Sequence, residues 1–415
     1  MRRAGLAVAG LPLVLVPAWA TSSVAAGVTV MTGATAEQPL CDPATVPTSE
    51  ALADATVRVN PAHQRMNVDE AHAMATGKGV KVAVVDSGIA TVDDFARIPL
   101  YALPGTGPEM LSGHGTIVAG LIAGKDGVAP DAVLYDVKVF DGEGADETEG
   151  QKRLTSAGMV AGIRAVIDAM PRERFGVVNI SLSTSQHDPA LEAAIADLVA
   201  RDVVVVAAAG NKALTTSSED FEGTPGNDAP VYPADYDGVL AVSATPPDNQ
   251  DPAGYVLPNL DTDVAAPTAG AISVNATGGR CVVDEVATSW AAAEVSGLVA
   301  LLRERFPRET PRQIVARLQA TTEGAGAAAG KERVENPWTG AGVVQANDAL
   351  TRQLSIGPDG TLRSTVRSTR SDAQAPPAPE KVDLFGSSRA LLLWFGLLGG
   401  ALLALVFLLR PLLRR

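Results

Sequence analysis

Two cysteines in 415 residues are too few to staple a disulfide scaffold or to build a tetrahedral thiolate metal site, so an apolar core has to hold this fold. Aromatic residues are also scarce, at 4%, while 46% of the chain is hydrophobic, which leaves mainly small and aliphatic side chains to fill that core. Basic residues are outnumbered, 33 against 47 acidic ones, and the formal net charge of −14 argues against a nucleic-acid partner, whose phosphates require a basic surface. There are four histidines, and no metal ion or other cofactor is expected. The length allows one core of about 250–300 residues with material left over at both ends.

Those ends read as membrane-related. Met1-Arg2-Arg3, an apolar run to Val16 and then Ala18-Trp19-Ala20 have the three parts of a secretory signal peptide, with a second cleavage candidate at Val24-Ala25-Ala26. Residues 1–26 are assigned to it, an uncleaved anchor being the alternative. Near the other end, Leu391 to Leu409 carries no charge and as a helix spans roughly 28 Å, close to the thickness of a bilayer's hydrocarbon core. Arg410, Arg414 and Arg415 follow, and the positive-inside rule keeps them cytoplasmic. The expected division is an extended N-terminal arm over 27–65, a catalytic-size domain over 66–355, a flexible linker over 356–388, a transmembrane helix over 389–410 and a short cytoplasmic tail over 411–415.

Within the domain, Val68 to Met74 reads as a short amphipathic helix closed by Gly77. Val80 to Val85 is a β-branched run ending in Asp86, a buried parallel strand with an acid at its carboxyl end. Gly113-His114-Gly115 heads the apolar helical run from Ile117, whereas His63, His72 and His187 read as ordinary surface or loop residues. Strands over 133–140, 177–183, 203–209, 239–243 and 263–267 alternate with helices over 159–170 and 189–200. That alternation implies right-handed crossovers and an α/β three-layer sandwich around a mostly parallel sheet. Thr288-Ser289 opens another apolar helix, and Pro311 to Gln319 is the last helix expected. Thr-Ser in that position is ordinarily a helix cap and nothing more.

The order Asp86, His114, Ser289 gives the pattern chemical meaning. It is the chain order in which subtilisin-type proteases present an acid, a general base and a nucleophile. The segments Val82 to Gly88, Gly113 to Gly120, Gly127-Val128-Ala129-Pro130, Ala207 to Asn211, Val231-Tyr232-Pro233-Ala234 and Thr288-Ser289 resemble subtilisin-family motifs from Gly77 to about Ala349. Within that superfamily, Asn67 to Ala71, Thr288 to Ala293 and the terminal segments resemble the mycosins, membrane-anchored proteases of type VII secretion systems. The resemblance implies a subtilisin-like fold and serine endopeptidase activity on a polypeptide substrate. It also implies association with a type VII secretion membrane complex and an extracytoplasmic catalytic domain on the cell membrane. By the same resemblance Asp86, His114 and Ser289 form the triad, Asn211 donates to the oxyanion, and Ser181, Leu182, Ser183, Ala208 and Gly210 bind substrate.

Some positions depart from the family pattern. Ala287 and Ala293 stand where glycine and proline are usual, so a tighter turn before Ser289 is expected, and Ser183 and Thr184 replace glycines of the substrate cleft. A rival reading keeps the fold but makes the protein a non-proteolytic structural subunit of a secretion complex, and an anchored subtilase unrelated to secretion is a further alternative. Cys41 and Cys281, both on the exported side, are expected to pair, two free thiols being the alternative. Asp141, Glu143, Asp146, Glu147 and Glu149 crowd one segment, read either as a solvated acidic loop or as an attractor of basic peptides beside the cleft.

Overall fold

Uninterrupted runs of valine and alanine build the centre of the molecule, because β-branched chains lose little freedom in strands and both faces of this sheet are covered. The strands are β1 (Lys81–Asp86), β2 (Leu100–Ala102), β3 (Val133–Lys138), β4 (Phe175–Ile180), β5 (Val204–Ala208), β6 (Val239–Thr245) and β7 (Val264–Pro267). They form one parallel sheet in the order β2-β3-β1-β4-β5-β6-β7. The computed structural model describes residues 38–50, 54–105, 109–142, 145–212, 228–247, 250–323, 336–363 and 386–410. The signal-peptide segment 1–26, linker residues 364–385, the tail 411–415 and Glu143 lie outside the described residues.

Helices cover both faces of the sheet. One face packs against α3 (His114–Ile122) and α6 (Thr288–Arg305), together with α7 (Pro311–Ala320) and α8 (Ala346–Thr351). The other packs against α4 (Ser156–Ala169) and α5 (Pro189–Ala200), with Met159, Ile163, Leu191, Ile195 and Leu198 buried. The strand order reverses between β1 and β4, and α/β sheets open a crevice at the carboxyl ends of strands beside such a point. The three-layer α/β sandwich around a parallel sheet expected from the sequence is therefore present.

The N-terminal arm is partly helical, contrary to the expectation of an extended segment. Asn60 caps α1 (Pro61–Met66) by accepting the N–H of His63 at 3.1 Å, and Pro61 occupies the first turn. Asn-Pro at a helix start is a signal that the lack of a sustained period in this segment conceals. Asn67, at φ 56°, ends α1, and α2 (Val68–Ala71) is shorter than the helix read over 68–74. His63 is consequently helix-borne and not a surface-loop residue, whereas His72 follows α2 in a turn and is half-buried. His63 is buried, its ring edge-on to His72 at 6.5 Å, and burial, aided by His72, pushes it down to about 4 against an opposing pull from Asp126. His187 is exposed, as read.

Ahead of α1 the arm is bound covalently and by backbone pairing. Cys41 and Cys281 form a disulfide with Cα atoms 4.9 Å apart. Cys41 N donates to Val282 O at 2.9 Å, and Val282 N to Pro39 O at 3.0 Å, which adds the arm beside the antiparallel pair β8 (Ile272–Val274) and β9 (Arg280–Val282). The sequence reading missed that pair, as it missed β2 and α8, because each is too short to show a period.

Residues 364–415 form a second unit, described by itself. Its helix α9 (Gly386–Leu409) includes Leu391–Leu409, with a mean hydropathy of 2.5 and exposed side chains, long and apolar enough to cross a membrane.

One buried group runs against the packing of α6. Glu294 is fully enclosed, and neither carboxylate oxygen has a partner, so burial holds its proton affinity well above the usual carboxylate range. Glu294→Leu is expected to raise stability at pH 7 by about 1–3 kcal/mol, the usual cost of an unsatisfied buried polar group. The folded state keeps this proton while the unfolded chain releases it from about pH 4.5, so wild-type stability should fall as pH rises above that value. Denaturant midpoints of Glu294→Gln and wild type should diverge from pH 5 to pH 8, with Gln ahead, and parallel curves would refute this reading.

Candidate active site

The turn after β1 places Asp86 at the crevice. Asp86 is fully buried, and its Oδ1 accepts the Ser87 N–H at 2.7 Å and faces His114 Nδ1 at 2.8 Å. Gly115, next to His114, has to be glycine: a Cβ there would lie 2.5 Å from Gly88 O and 3.0 Å from Asp86 Oδ1. Ser87 Oγ accepts the Gly115 N–H at 3.0 Å and so joins the turn to the head of α3. Gly113 is equally constrained, since its added Cβ would meet Thr45 O at 2.2 Å where the arm crosses. Its N–H donates to Pro43 O at 2.7 Å.

Ser289 sits in the first turn of α6, where backbone N–H groups lack helical partners. Its Oγ donates to Ser181 O at 3.0 Å, and its own carbonyl accepts from Ser181 Oγ at 2.8 Å. Two bonds thus fasten the helix head to the end of β4. Asn211, just past β5, accepts at Oδ1 from Thr288 N at 2.7 Å and from Thr288 Oγ1 at 2.9 Å. Held this way, its amide nitrogen is the end left to donate into the crevice. Gly210 N in turn donates to Thr288 Oγ1 at 3.3 Å. Ala287 is extended, at φ −141° and ψ 141°, so its methyl fits without the tightening expected there.

A cavity of about 530 Å³ collects His114, Ser289, Asn211, Leu182, Leu111, Phe140 and Leu154, with Pro43 and Ala44 of the arm, Glu285, Ala287 and Trp290. Of the predicted substrate-binding residues, only Leu182 is on this wall; Ser181 and Gly210 brace Ser289 and Thr288, while Ala208 is buried behind them and Ser183 stands off the cavity. Thr184 pairs with Tyr232 through two backbone bonds of 2.8 Å. A larger cavity of about 1040 Å³ lies elsewhere, lined by residues such as Asp54, Asp94, Arg97 and Asp131, and it holds no serine or histidine.

Two contributors escaped the sequence reading. The Trp290 ring lies 4.7 Å from that of His114 at 33°, and its indole N–H donates to Glu285 Oε2 at 3.3 Å. Glu285 is exposed, so this acid at the cleft comes from the loop before α6 and not from the acidic segment. Asp141, by contrast, is buried and engaged by Lys138 and by the N–H groups of Glu109 and Lys152. Asp146 caps the turn at Thr148. The acidic segment is therefore partly structural, and none of its described residues lines the cavity.

The parallel sheet thus brings a helix-head serine and the histidine of a histidine–aspartate pair to one cavity, and the class of the molecule, a serine endopeptidase, follows from its family. The chain belongs to the subtilase family, whose model matches residues 77–342. It is 34% identical to Mycosin-1 of Mycobacterium tuberculosis over 336 residues, which is 71% of this chain and 73% of that protein. Subtilisin BL of Lederbergia lenta is 32% identical over 260 residues, 60% of this chain and 86% of the relative. Among solved structures, MycP1 from the ESX-1 type VII secretion system aligns with a TM-score of 0.59 at 29% identity, covering 78% of this chain and 92% of that one.

Proposed function

We propose that this subtilase is a membrane-anchored, extracytoplasmic endopeptidase of the mycosin type that works with a type VII secretion membrane complex. The observation that carries the catalytic assignment is the 2.8 Å contact of His114 Nδ1 with buried Asp86, in the cavity that also holds Ser289 and Asn211. Asp86 keeps the ring oriented and stabilises the imidazolium. Ser289 Oγ, turning from Ser181 O, gives its proton to His114 Nε2 and bonds to the scissile carbonyl carbon. The oxyanion accepts from the Ser289 N–H and the Asn211 amide. As the tetrahedral intermediate collapses, the C–N bond breaks and His114 returns the proton to the leaving amine. Water, deprotonated by the same ring, then cleaves the Ser289 ester.

Anchoring is assigned to α9 and export to residues 1–26, with Arg410, Arg414 and Arg415 on the cytoplasmic side. The secretion partner is inferred from the mycosin relatives and from a 23% identical chain of matching fold in an ESX-5 inner membrane complex. A serine-directed phosphonate applied to the full-length protein in membranes should form an adduct on Ser289, and Ser289→Ala should remove it. Labelling that persists in the variant overturns the assignment. A strain carrying Ser289→Ala separates the roles: secretion that survives this change but not loss of the whole protein makes the structural role the essential one.

A further inference from the structure

The sheet carries a second buried carboxyl next to the triad aspartate. Asp136 on β3 is in register with Val84 on β1, and side chains two apart share a face, so Val84, Asp86 and Asp136 all project toward the α3 side. Strand spacing and rise put the Asp86 and Asp136 Cα atoms about 8 Å apart. Asp136 accepts the backbone N–H of Ile89, three residues past Asp86, so its carboxyl grips the turn that carries the triad acid. Its Oδ1 is enclosed with no partner, and so is Asp86 Oδ2.

We propose that Asp136 is a positioning residue of the triad: it fixes the Asp86–Ile89 turn and, through its own charge, sets how tightly the Asp86–His114 pair holds a proton. This rests on the triad reading above. The charged or titratable groups around it are Asp86 on β1, Lys138 on its own strand and, through Asp86, His114 on α3. The β2 partner in register is the apolar Ala102. Lys138 is shared with Asp141 and the Glu109 carbonyl, so it offsets Asp136 only in part. Burial pushes Asp136 up to about 6, the Ile89 N–H opposes this, Asp86 adds to it and Lys138 opposes it. Below that pH the group is neutral, and above it a second negative charge stands behind Asp86 and favours the imidazolium. Ionised Asp136 therefore raises the pH at which His114 loses its proton.

The test is a pH titration by NMR of full-length protein in detergent, with histidine labelled at Cε1 and aspartate at Cγ. The four histidines keep the ring spectrum tractable. A Ser289→Ala background removes any dependence on proteolysis. Asp136→Asn should lower the His114 midpoint by roughly 0.5–1.5 pH units, the effect of one charge at about 8–10 Å with an effective dielectric of about 20–40. A midpoint that moves by less than about 0.2 units in a folded variant overturns the proposal and leaves Asp136 a purely structural group. If Asp136→Asn does not fold, the unsubstituted chain still decides. His114 should then titrate in two steps, one coinciding with the Asp136 Cγ signal, and a single step indifferent to that signal refutes the coupling. Failure of the peptidase reading would appear separately, as coupled titration alongside a lack of phosphonate labelling in the protein that retains Ser289.

Discussion

Ser289→Ala in the full-length protein is expected to lower kcat for peptide hydrolysis by about 10⁶-fold with little change in KM, a magnitude established for a subtilisin of the same family. The hydroxyl donates to Ser181 O, while the helix head stays fixed through the Ser289 carbonyl and through Thr288. Folding should therefore be nearly unaffected and the loss confined to chemistry. His114→Ala should cost about as much, and the double variant scarcely more than either single one, because nucleophile and base act as a unit. Stopped assays with a peptide anilide, alongside thermal unfolding of each variant, give both readouts. Retention of more than about a tenth of the activity in folded Ser289→Ala would move the nucleophile elsewhere.

The second large effect concerns the arm. Cys41 and Cys281 are separated by 240 residues, so their bond closes a ring that takes in most of the folded unit and restricts the unfolded chain strongly. Replacing both by serine should destabilise that unit by about 2–5 kcal/mol. The arm should also part from Val282, taking with it Pro43 and Ala44, which wall the cavity. Denaturant titrations with and without reductant provide the check, with hydrogen exchange at Cys41 N and Gly113 N as the local reporter. Equal midpoints would mean that backbone pairing alone holds the arm.

The strands that position the site were legible because each is a long β-branched run, and the helices of α4 and α5 because their apolar spacing is sustained. Asp86, His114 and Ser289 stood out because each borders an element boundary with a small-residue turn. Trp290 and Glu285 did not, since their importance lies in a ring contact and a hydrogen bond that no period encodes. Asp136 was hidden inside a strand, where only register with β1 reveals what it faces. Asp141 misled in the opposite sense: counted with its neighbours it looked like surface charge, yet Lys138 draws it inside. The burial of His63 depends on the fold of α1, which its Asn-Pro start could have signalled. Glu294 lies within an otherwise apolar helix, and only its surroundings tell that no cation meets it.

Helix α6 follows every strand of the main sheet in the chain and is buried along almost its whole length against them. Its place in the order of synthesis gives hydrolytic competence a timing. On the proposed assignment, Asp86 and His114 emerge first and wait, while the nucleophile arrives only after the last strand of the sheet has been made. A chain halted anywhere before Ser289 is chemically inert, however well its earlier part is ordered. On that assignment the growing polypeptide cannot cleave itself until α6 slots into the finished sheet.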